Sequence, residues 1–63
     1  MTQKELLYYE DAVMHEENLI KICEDALNNL SDTTLKDFMK AEINLHRKLK
    51  EELMEKLNEE CHE

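Results

Sequence analysis

Three residues have the types and spacing to do chemistry together: Glu16, Glu42 and His46. Glu16 stands in "AVMHEENLI", with Val13 and Ile20 one turn either side of it on the same helical face. Glu42 and His46 are four positions apart, which puts both on one side of a helix. Carboxylates and an imidazole support two kinds of chemistry. They can ligate a metal, and iron or manganese would suit these donors better than zinc. They can also hold each other, because a buried carboxylate costs several kcal/mol unless it is paired. Di-iron and di-manganese proteins of ferritin type use single glutamates and Glu-x-x-His pairs inside a four-helix bundle. Here the spacing is Glu-x-x-x-His, one residue longer. His15 and Glu10 are outer candidates for the same site, at the edge of the face that Glu16 occupies.

Helices must position these groups. The chain has no Gly and no Pro, and no segment alternates with a period of two. The only punctuation is "NNLSDTT", Asn28 to Thr34. Asn28 or Asn29 is expected to take the left-handed conformation that ends a helix. Ser31 or Asp32 is expected to cap the next, and Thr34 with Asp37 resembles a weak capping box. The spacing predicts a helix over about residues 3–29, a turn at about 29–33 and a helix over about 33–60. So short a turn makes the pair an antiparallel hairpin. Folding it at residues 32–33 brings level those residues whose numbers sum to about 65, which places Glu16 and His46 within about 4–5 Å along the axis.

In the first helix Leu6, Tyr9, Val13, Glu16, Ile20, Cys23, Leu27 and Leu30 step by three and four, forming one seam. Tyr8, Ala12, His15, Leu19, Ile22 and Ala26 form a second beside it. In the second helix Leu35, Phe38, Met39, Leu45, Leu49, Leu53 and Leu57 are read as sharing a face, with Glu42 at its centre. Such faces are wider than a two-helix contact covers. A chain of 63 residues also buries too little alone. The expectation is an all-α hairpin that pairs as a homodimer into a four-helix bundle, with Tyr8, Ala12, His15, Leu19, Ile22 and Ala26 at the dimer interface. A two-fold axis would present every central polar residue twice.

The net charge of −8 is unevenly spread. Residues 1–32 carry two lysines against eight acids, net −6; residues 33–50 carry five bases against two acids, net +3; residues 51–63 carry one lysine against six acids, net −5. The balance argues against nucleic acid and against an anionic membrane surface. The opening "MTQKELLYY" has no long apolar run, so neither a signal peptide nor a membrane span is expected. Cys23 and Cys61 form no Cys-x-x-Cys pair, and a reducing, cytoplasmic setting follows. Cys23 reads as a small buried hydrophobe. Tyr8 and Tyr9 read as core or interface residues. Cys61 and His62 fall in a tail expected to fray. The run "HRKLK", His46 to Lys50, is expected to pair with acids of the first helix. Neither a nucleophile triad nor a phosphate-binding loop is present, which weighs against an enzyme.

Order and spacing over nearly the whole chain, up to about Leu57, resemble a known family. The features are "KEL", then "YYED" with Tyr9, Glu10 and Asp11, then "HE" with His15 and Glu16, the "L-S-D-x-x-L-K" turn, and His46. Together they resemble the short Coat F-type, ferritin-like spore coat proteins of spore-forming bacteria. The resemblance implies a two-helix unit that pairs into a ferritin-like bundle, located in the spore coat or in the mother-cell or forespore cytoplasm, with other coat proteins as partners. It implies no enzymatic activity. The first hypothesis is therefore a structural or interaction protein. The alternative is an iron- or manganese-binding protein using Glu16, Glu42 and His46. A third is an adaptor hairpin that packs on a different partner.

Overall fold

The structure, a computed structural model, describes residues 1–61. Two helices account for nearly all of it: α1, Gln3–Asn29, and α2, Thr33–Cys61. No strand occurs among the described residues. His62, expected in the frayed tail, lies outside them.

Each helix starts on a side chain that answers its free amide groups. Thr2 caps α1: its hydroxyl accepts from the Glu5 amide at 3.1 Å, and the Glu5 carboxylate accepts from the Thr2 amide at 3.1 Å. This reciprocal capping box satisfies two donors that a helix start otherwise leaves orphaned. Asp32 caps α2, its carboxylate accepting from the Leu35 amide at 3.0 Å. The expectation of a left-handed asparagine at the end of α1 is not met. No described residue has a positive φ, and the chain leaves α1 through Leu30 in extended conformation, φ −88° and ψ 142°. Asn29 instead turns its side-chain amide back onto the Asp25 carbonyl at 2.8 Å, within the last turn and without a left-handed conformation.

The helices lie antiparallel. Bonds between them join residues whose numbers add to between 61 and 71. On α1 the seam from Leu6 through Tyr9, Val13, Glu16, Ile20, Cys23 and Leu27 to Leu30 is buried or half-buried along its whole length.

On α2 the single face read from the sequence divides into two. Met39, Leu53 and Leu57 turn toward α1, in a series completed by Ile43, His46 and Lys50. Leu35, Phe38, Leu45 and Leu49 are exposed. Each of these four but Leu35 stands one residue before a member of the inward series, about 100° round the helix, too far to share its contact. The centre of the inward series is Ile43, at 5 % exposure the most buried described residue, which the reading of the sequence left out.

The hairpin holds little interior. Among the described residues only Ile20 and Ile43 are buried apolar residues. The molecule measures 47 × 15 × 11 Å, and its radius of gyration is 14.6 Å. A compact domain of this length would have about 11 Å. Its accessible area is 5043 Å². A compact monomer of the same mass would expose about 4,300 Å².

Candidate functional site: a Glu–His–Glu cluster between the helices

His46 points from α2 into the seam, its side chain 19 % exposed. Its Nδ1 meets Glu16 Oε2 of α1 at 2.5 Å. Its Nε2 lies 3.7 Å from Glu42 Oε2, one turn earlier on α2. The antiparallel register brings Glu16 to His46, and helical periodicity brings Glu42. Glu16 is 15 % exposed and Glu42 35 %, so the cluster grades from the seam outward. No buried side-chain N or O atom lacks a hydrogen-bond partner among the described residues.

This geometry answers how a carboxylate can stand in an apolar seam. An imidazolium donates from both nitrogens and can serve both carboxylates, whereas a neutral ring donates to only one. The Glu16–His46 bond crosses between helices 30 residues apart in sequence. A one-turn slip of either helix would separate the two groups, so the bond is made in this register alone.

The outer candidates stand elsewhere. His15 and Glu10 are exposed and do not reach the cluster. Of the expected dimer-interface residues, Tyr8 and Ile22 are exposed at 61 % and 62 %, His15 is also exposed, and Ala12, Leu19 and Ala26 are half-buried. The Lys4 ammonium lies 5.9 Å from the centre of the Tyr8 ring. Cys23 is a free, half-buried thiol on the seam.

Of the two ring nitrogens of His46, Nδ1 is hydrogen-bonded to Glu16, and Nε2 stands 3.7 Å from Glu42, beyond hydrogen-bond distance. Among the described residues no three His, Cys, Asp or Glu side chains gather as metal ligands would.

Beyond the cluster, the two long sides of the hairpin differ. In an antiparallel pair, residues one position after each inward residue fall on one side, and residues one position before fall on the other. The first side carries Glu17–Lys50 at 3.3 Å and Glu24–Arg47 at 3.6 Å, bridging the helices. The second carries Tyr8, Ala12, His15, Leu19 and Ile22 of α1 beside Phe38, Glu42, Leu45, Leu49 and Glu52 of α2. A shallow groove opens on it between Tyr8, Tyr9, Ala12 and Leu53. No described helix is long and apolar enough to cross a membrane.

No family model, curated protein or solved structure matches this chain.

Proposed function

We propose that the chain is a small, non-enzymatic structural or interaction protein that works as a homodimer, two hairpins forming a four-helix bundle of ferritin type. The observation that carries this reading is the apolar side. Phe38 is 57 % exposed and Leu35 and Leu45 49 % each, alongside Tyr8 and Ile22. Large exposed apolar side chains on a side interrupted only by His15, Glu42 and Glu52 favour an interface over a finished exterior. The area supports it quantitatively. The hairpin exposes about 700 Å² more than a compact monomer of its mass would. One partner in a standard interface buries about 800 Å². A second copy supplies a surface of the right size and apolar character without invoking another molecule.

Sedimentation velocity at micromolar concentration tests the reading. A dimer is the expected species; a folded monomer at every concentration overturns it.

The spore-coat assignment rests on the Coat F resemblance, on "YYED", "HE" and the "L-S-D-x-x-L-K" turn. It predicts recovery of the chain in the coat fraction of purified spores from its host. Recovery only from vegetative cytoplasm would remove the coat assignment and leave the dimer standing.

A metal-binding reading on Glu16, Glu42 and His46 is supported by their meeting at one level of the hairpin. It has less behind it, because His46 Nδ1 is already bonded to Glu16 and no three such side chains gather as ligands among the described residues. Elemental analysis after loading with iron or manganese decides: a stoichiometric metal would promote this reading, and a ratio near zero would end it.

A further inference from the structure

We propose that the ion-paired side of the hairpin, toward its open end, docks an amphipathic helix of another protein whose apolar residues are flanked by Lys or Arg. The site is Leu7 and Met14 of α1 with Met54 of α2, apart from the side offered to the second copy. All three are exposed, at 54 %, 61 % and 44 %. Each stands one position after an inward residue, Leu6, Val13 or Leu53, so they share one side. In the antiparallel register Met54 comes level with about residue 11 of α1. The three therefore stand at the heights of residues 7, 11 and 14, in steps of about 6 and 4.5 Å. These are the steps between apolar residues i, i+4 and i+7 of a helix laid along the groove between α1 and α2. Beyond Met54 that groove runs on toward Ile20, between Glu17 and Glu51. Two of the three are methionines, whose flexible side chains adapt to a partner's shape.

Charge says what the partner carries. Residues 1–17 hold one lysine against five acids, and residues 51–61 again one lysine against five acids, net −4 each. Residues 18–50, the loop half, hold six bases against five acids, net +1. The open half is thus strongly acidic and the loop half close to neutral. Glu10 and Glu51 stand on the same side as the apolar three, and Glu55 lies one position further round from Met54; all are exposed. None of these carboxylates meets a cation within 4.0 Å among the described residues. Nearer the loop, Glu17 and Glu24 are already paired with Lys50 and Arg47. Lys or Arg on a docked helix would supply the missing cations while their stems cover the methionines.

A second copy fits this site poorly. The loop half of the same side carries Lys21, Glu24, Asn28, Lys40, Asn44 and Arg47, with no apolar residue among them. Turned end for end, a copy would lay those polar groups on Leu7, Met14 and Met54. Set with like ends together, it would bring Glu10 and Glu51 toward their own equivalents, within about a Debye length at bundle spacing. The opposite side of a copy brings Glu42 and Glu52 with one lysine, Lys56. None of these surfaces combines apolar residues with the cations that the open end lacks.

The test follows the methionine methyl signals of the full chain by nuclear magnetic resonance, and it reads the same in a monomer or a dimer. The probe is a synthetic helical peptide of about 20 residues with leucines at i, i+4 and i+7 and lysines flanking them. The Met14 and Met54 methyls, assigned from Met14→Leu and Met54→Leu, are expected to shift on titration, while Met39, half-buried between the helices, holds still. Met14→Ser with Met54→Ser should weaken binding at least about tenfold through lost apolar burial. Glu10→Gln with Glu51→Gln should weaken it roughly 2- to 30-fold at low salt, with helicity and sedimentation unchanged. No shift of Met14 and Met54 at about 1 mM peptide, the range of a weak complex, overturns the proposal. So do shifts confined to the Tyr8 and Phe38 rings, which put the peptide on the other side. Equal binding of the same peptide with glutamates in place of its lysines would remove the basic partner. Met14 and Met54 signals that move with protein concentration before any peptide is added would give the site to a second copy.

Discussion

The two long sides of this hairpin solve the same problem in opposite ways. On one, Glu17–Lys50 and Glu24–Arg47 bridge the helices, and every charged head stays in reach of water. On the other, Tyr8, Ile22, Phe38 and Leu45 stand exposed with no bridging charge between them. Exposed ion pairs are worth about 0.2–1 kcal/mol each. A fully buried large apolar side chain is worth about 1.5–3 kcal/mol. The ion-paired side, which also exposes Leu7, Met14 and Met54, adds little through its charges. The apolar side adds nothing until something covers it and then outweighs the other several-fold. The contrast says where this molecule keeps its unrealised stability.

The contrast is broken most forcefully at Phe38. Phe38→Glu puts a charge into the proposed interface twice per dimer. The loss of two buried rings alone should weaken association by roughly 3–6 kcal/mol. The expected result is a monomer by sedimentation, with a melting temperature that no longer rises with protein concentration. A Phe38→Glu chain that still dimerises at micromolar concentration would show that the partner sits elsewhere. Ile43→Ala attacks the contact between the helices instead. It should cost about 2–5 kcal/mol per chain, the usual range for truncating a buried Ile to Ala. In so small a core that is enough to lose most helicity by circular dichroism at 37 °C. A loss below about 0.5 kcal/mol, typical of a surface site, would mean that Ile43 is not the centre of the seam.

The difference between Phe38 and Ile43 also marks what could be read from the sequence. Two long helices and a hairpin were legible, because nothing in the chain breaks a helix except "NNLSDTT". The α1 seam was legible because its members step by three and four without interruption. The seam of α2 was not. Its inward series runs Met39, Ile43, His46, Lys50, Leu53, Leu57, and two of the six are polar. Leu35, Phe38, Leu45 and Leu49 offer a more apolar series one residue away and drew the reading to themselves. Hydrophobicity alone cannot tell a face that meets its own hairpin from one that awaits a partner. The cross-helix bond Glu16–His46 can, because it shows which way α2 is turned. In the cluster itself, the approach of Glu16 to His46 follows from register arithmetic, while the choice of Nδ1 as the bonded nitrogen does not, since it depends on side-chain rotamers. The capping box at Thr2 and Glu5 is written in "TQKE", Thr followed three residues later by Glu.

Between the two sides lies the polar cluster, and it sharpens the comparison at an intermediate scale. Glu16→Gln removes the charge from the bond to His46 but keeps the shape. A half-buried, charge-assisted hydrogen bond is worth about 1.5–3 kcal/mol, so a loss of that order is expected in urea denaturation. Glu16→Leu is the companion. If the cluster serves register alone, it should shift the oligomeric state or blur it. An unchanged dimer of higher stability would mean instead that the carboxylate is kept for another purpose, because apolar packing often exceeds a buried ion pair.

On the ion-paired side the effects should be smaller. Neutralising Glu17 and Glu24 together, as Glu17→Gln with Glu24→Gln, should cost at most about 1–2 kcal/mol at low salt. The loss should shrink toward zero at about 1 M salt, where the screening length is about 3 Å. A loss that persists in high salt would make this side more than a solvated surface, and the comparison between the sides would fail there.

The smallest effect belongs to the capping box, and its sign follows from the proton count. Hydrogen bonds from the Thr2 backbone amide, and then from its side chain, hold the Glu5 carboxyl below its ordinary value in the folded chain. The unfolded chain therefore binds a proton there at higher pH than the folded one does. Above the unfolded value both states are ionised, and the cap contributes in full. As the pH falls through the unfolded value toward the folded one, proton binding favours the unfolded form, and below the folded value the contribution is gone. The start of α1 should accordingly loosen in acid. The protection of the Glu5 amide, whose N–H bonds the Thr2 hydroxyl, relative to its intrinsic exchange rate at each pH, should fall below the ordinary carboxylate range. Glu5→Gln should flatten that acid dependence while keeping the helix start, since glutamine also serves at this position of a capping box. Glu60, held low chiefly by its hydrogen bond to the chain's amino group, titrates in the same direction at the same end of the hairpin. The Glu5→Gln comparison must therefore be read at the Glu5 amide rather than from global stability. A protection factor there that still falls in acid in the variant would assign the loosening to Glu60 and remove the capping box as its cause.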